Sequence, residues 1–129
     1  MYKDLPGNIK SSITRSISTT FEQYMANIQW DEDKFDLQDF INSWKDYINT
    51  KATWYNAVPE EVKINPQFHE DLAQKINQTI EKILSEPPSE QQIAEIEMLQ
   101  EQYDTHYEYA CKAEAAYVEQ ILKEKQKQE

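Results

Sequence analysis

The stretch NPQFHEDLAQKINQTIEKILSEPPSEQQ, residues 65–92, carries the plainest structural signal in the chain. Asn65 followed by Pro66 reads as a cap with proline at the first helical position, where its missing N–H is no loss. Phe68, Leu72, Ile76, Ile80, Ile83 and Leu84 then recur at three- and four-residue intervals. Such spacing puts them on one face of a helix over about 65–85. Pro87-Pro88 cannot continue that helix. Ser89-Glu90-Gln91-Gln92 has the form of a capping box, so a new helix begins there.

The preceding segment has the same grammar. Asp36 reads as an N-cap, with Asp39 placed near the first free amides. Leu37, Phe40, Ile41, Trp44, Tyr47, Ile48, Tyr55 and Val58 share a face, and Pro59 ends the segment. A helix over about 36–57 is predicted. Before it lies a polar, acidic connection, Gln29 to Lys34. The first segment, about 8–29, follows the Leu5-Pro6-Gly7-Asn8 breaker and repeats Ile9, Ile13, Ile17, Phe21, Tyr24, Met25 and Ile28. Ile9 to Phe21 all fall on odd positions in a Ser/Thr-rich run, so a strand also fits there. The continuation to Ile28 favours a helix.

Beyond Ser89, one helix to about Lys125 is expected. Ile96, Leu99, Tyr103, Tyr107, Ala110, Tyr117, Val118 and Ile121 share its face, although Gln100 and Glu114 interrupt the seam. A helix of about 36 residues would be ~50 Å long and would overhang its neighbours. Lys123 to Glu129 reads as a polar, frayed tail. The prediction is a single all-α domain over 1–129, an antiparallel four-helix bundle with a long C-terminal helix.

Composition narrows the function classes. One glycine in 129 residues argues against sandwiches and barrels and leaves no way to write a glycine-rich phosphate loop. Cys111 is the only cysteine, so no disulfide can form within the chain. With no apolar leader or span in sight, a cytoplasmic protein is expected. The net charge of −11 disfavours direct nucleic-acid binding and anionic membranes. That charge is uneven. Residues 1–58 hold eight acids and six bases, whereas 59–129 hold sixteen acids and seven bases.

Its densest part is a stripe. On one continuous helix Glu90, Glu97, Glu101, Asp104 and Glu108 fall within an arc of about 60°, and no Lys or Arg lies between Lys82 and Lys112. A solvated face explains such a run as a matter of course. The sharper reading is a docking strip for a basic partner, carried by Glu97, Glu101, Asp104, Glu108 and the neighbouring Tyr109. A nucleic-acid-binding protein whose site the stripe mimics is one version of that partner. Nine of the fifteen aromatics lie between Phe21 and Tyr55, and Trp30, in the acidic connection, is a weaker anchor candidate.

Polar residues on apolar faces give the competing site. His69, Lys51 and Glu114 each sit among apolar neighbours. A hairpin about Pro87-Pro88 would bring His69 level with His106. His69, His106 and Glu114 are therefore the weak candidates for a ligand or metal site. A histidine bonded within the core is the plainer reading, and no metal or cofactor is expected. Di-iron bundles need E-x-x-H, but Pro66 and Tyr103 precede the two histidines at that spacing. Asp31 to Asn42 lacks the glycine and the terminal glutamate of a calcium loop. No nucleophile elbow can be written without glycine, and Cys111 has no basic partner. The function expected is a small, acidic, non-enzymatic interaction or regulatory module: an inhibitor, immunity or antitoxin-like protein. The alternatives are a ligand- or metal-binding bundle, and a structural homo-oligomer formed through the C-terminal helix.

Overall fold

The computed structural model describes residues 2–51 and 54–127. Among these the secondary structure is all helical, with seven α-helices and two short 3-10 turns. The helices are α1 (Gly7–Asn27), α2 (Leu37–Thr50), α3 (Trp54–Ala57), α4 (Glu60–Lys63), α5 (Pro66–Ser85), α6 (Glu90–Tyr103) and α7 (Lys112–Lys127). The chain divides into two compact units, Met1–Ile80 and Glu81–Glu129.

The first unit answers the helix-or-strand question. Ile13 and Ile17 are fully buried and Phe21 nearly so, which both periods allow. Ser16 and Thr20 are buried as well. A strand would turn those even positions to the opposite face, whereas a helix keeps them beside the isoleucines. Ser16 is then the junction of three helices. Its Oγ donates to the Ile13 carbonyl at 2.7 Å and accepts the indole N–H groups of Trp44, from α2, at 3.1 Å and Trp54, from α3, at 3.3 Å. The two indoles stack with centroids 6.2 Å apart. Phe40, Ile48 and Val58 are buried in the same unit, as are Phe68, Leu72 and Ile76 on α5. The 3-10 turn Tyr2–Asp4 meets α5 where the Tyr2 amide donates to Asp71 at 3.3 Å.

α1 ends without glycine. The Gln29 amide bonds the Ala26 carbonyl and the Trp30 amide bonds the Met25 carbonyl, at 3.1 and 2.7 Å. This crossed pair is a Schellman closure, which calls for a left-handed residue. Here Gln29, at φ 59°, and Trp30, at φ 55°, both supply it. α2 starts as expected, with Asp36 Oδ1 accepting the Asp39 amide at 3.1 Å. It ends at Thr50 rather than near residue 57, and Lys51 is its exposed C-cap. Two residues of the expected helix, Ala52 and Thr53, lie outside the described residues. α5 starts at Pro66, and Asn65 Oδ1 accepts the Gln67 amide at 2.8 Å.

The second unit corrects the C-terminal reading. The capping box at Ser89 forms in full, and α6 begins there. The helix does not run on to Lys125. It stops at Tyr103, Asp104 turns left-handed at φ 52°, and residues 104–111 are non-helical. The chain resumes as α7, which remains helical to Lys127. A helix unbroken to Lys125 could not fold its second half back against its first. The break instead lets α6 and α7 pack as a hairpin around Ile96, Leu99, Ala115, Val118 and Leu122, with Tyr103, Tyr109 and Tyr117 against them.

Candidate functional site

On α6, burial of Ile96 and Leu99 fixes which side meets α7. Glu90, Ala94, Glu97, Met98 and Glu101 are left exposed on the side away from the core. They recur at three- and four-residue steps, one continuous strip of a helical surface. Met98 is 59% exposed and interrupts the carboxylates with an apolar surface. Two of the five lysines of this unit engage other acids: Lys112 reaches Glu86 at 3.7 Å, and Lys123 reaches Glu95 at 3.1 Å and Glu119 at 3.6 Å. Lys125 lies 5.7 Å from the Tyr107 ring centroid. None of these contacts neutralises Glu97 or Glu101.

The rest of the expected stripe is differently placed. Asp104 is the left-handed residue that closes α6, and its side chain is almost fully exposed 4.0 Å from His106 Nε2. Glu108 is exposed in the segment after the break. Neither continues the α6 strip by helical geometry. Tyr109 does come back to it. The ring packs on the α6–α7 core, and its hydroxyl pKa is raised by burial and further by the charge of Glu97. The charge of Glu97 therefore reaches Tyr109 across the break in the helix, not along a shared helix face.

The 104–111 segment owes its shape to two side chains. Gln100 Oε1 accepts the Tyr107 amide, and Gln100 Nε2 donates to the Tyr107 carbonyl at 3.2 Å. From the other side, Glu114 Oε1 accepts the Ala110 amide at 2.7 Å. Gln92 Nε2 adds a bond to the Lys112 carbonyl at 3.3 Å. In the sequence, Gln100 and Glu114 show only as polar interruptions of the seam.

The remaining candidates take structural parts. Trp30 is half-buried, edge-on to Phe21 with centroids 6.2 Å apart, and belongs to an aromatic cluster with Phe35, Phe40 and Tyr24. It is not an exposed anchor. His69 is exposed and its Nε2 hydrogen-bonds the Lys63 carbonyl, which fixes the α4–α5 corner. A carbonyl can only accept, so Nε2 carries the proton. His106 is exposed and lies in the 104–111 segment rather than on a helix. Glu114 serves the backbone, as described. Among the described residues no group of three His, Cys, Asp or Glu side chains is placed to hold a metal ion. Lys51 projects from a helix end instead of a core face. Cys111 is buried at the start of α7. Among the described residues, no helix is long and apolar enough to cross a membrane.

The chain matches no protein family, no curated protein and no solved structure.

Proposed function

We propose that this chain is a small, acidic, non-enzymatic interaction or regulatory module, of the inhibitor, immunity or antitoxin-like kind, that docks a basic surface of a protein partner through α6. The carrying observation is the exposed Glu90–Glu97–Glu101 strip, whose last two carboxylates have no ion-pair partner among the described residues, while Lys112 and Lys123 of the same unit pair with other acids. Tyr109, whose hydroxyl feels the charge of Glu97, adds an aromatic ring near it, and Glu108 is a further exposed carboxylate of the same unit. Like charges at such spacing oppose helix formation by a few tenths of a kcal/mol per pair, and a basic partner relieves that repulsion. Met98 gives the strip the apolar centre that a charged rim alone lacks. A basic protein binding site that ordinarily receives nucleic acid fits the same pattern of spaced negative charge. The test is capture of partners from the native host on the immobilised chain across a salt series. Basic proteins retained at low salt and released as ionic strength rises are the expected result. A bound set that is indifferent to salt and not enriched in basic proteins overturns the reading.

A further inference from the structure

We draw no further inference here: the strongest candidate, the groove of about 440 Å³ between the 3-10 turn Tyr2–Asp4 and α5, is lined by Lys3, Gln67, Gln74 and Gln78 open to solvent around an Asp71 already bonded to Tyr2 and Gln67, and nothing among the described residues shows what would cover it.

Discussion

Ser16 shows how much of this fold rests on one small polar side chain. Its hydroxyl holds the N–H groups of two nearly buried tryptophans from two different helices. Ser16→Ala would leave both indole donors buried without an acceptor, at about 1–3 kcal/mol each. A loss of roughly 2–6 kcal/mol is expected in denaturant unfolding followed by tryptophan fluorescence. An unchanged midpoint would mean that the two indoles find other acceptors. Gln29 gives the opposite case. It closes α1 in the left-handed region where glycine is preferred. Gln29→Gly should raise stability by about 0.5–1 kcal/mol, read as a higher Tm. Destabilisation would show that the Gln29 side chain, rather than the backbone, matters there. Neither residue was singled out by sequence pattern. Serine on an apolar face looks like a flaw until its two donors are known. A closure made without glycine leaves no letter to read.

At the scale of elements, the signals that held were local and stereochemical. Asn65-Pro66, the Pro87-Pro88 break, the Ser89 capping box and the Asp36 cap all act within one turn, so neighbouring residues suffice to specify them. The break at Asp104 was missed because no proline or glycine marks it. Tyr107 and Ala110 preserve the helical period by coincidence, and helical continuity was inferred from that period. The decisive gain, burial of α6 against α7, is tertiary and overrides local propensity. The sequence did carry a trace of it. Gln100 and Glu114, out of place in an apolar seam, are the side chains that bond the loop backbone at Tyr107 and Ala110. Gln100→Ala removes both bonds to Tyr107 and should cost about 1–2 kcal/mol locally. Native-state hydrogen exchange should show faster exchange at the Tyr107 amide with α1 amides unaffected. Equal exchange in variant and parent would show that packing of the tyrosines alone shapes the loop.

For the whole molecule, charge is the property that links sequence to proposed activity. Residues 81–129 carry twelve acids against five lysines, so most of the net charge lies in the unit that contains α6. The uneven distribution was legible without coordinates. Which carboxylates share a surface was not, because that depended on where the helix stops. Glu97 and Glu101 stand together on α6, Tyr109 from the far side of the break feels the charge of Glu97, and Asp104 is occupied in the turn itself. Charge reversal is therefore best placed at Glu97 and Glu101, since a change at Asp104 would also disturb the close of α6. The same number of charges can be reversed on α5, at the exposed Glu70 and Glu81, to control for bulk charge. The direct measurement is quantitative co-purification of host proteins on the parent chain, on Glu97→Lys/Glu101→Lys and on Glu70→Lys/Glu81→Lys. Docking through α6 predicts a several-fold loss of basic partners with the first pair and none with the second. Equal recovery on all three chains, or equal loss with both pairs, would contradict it.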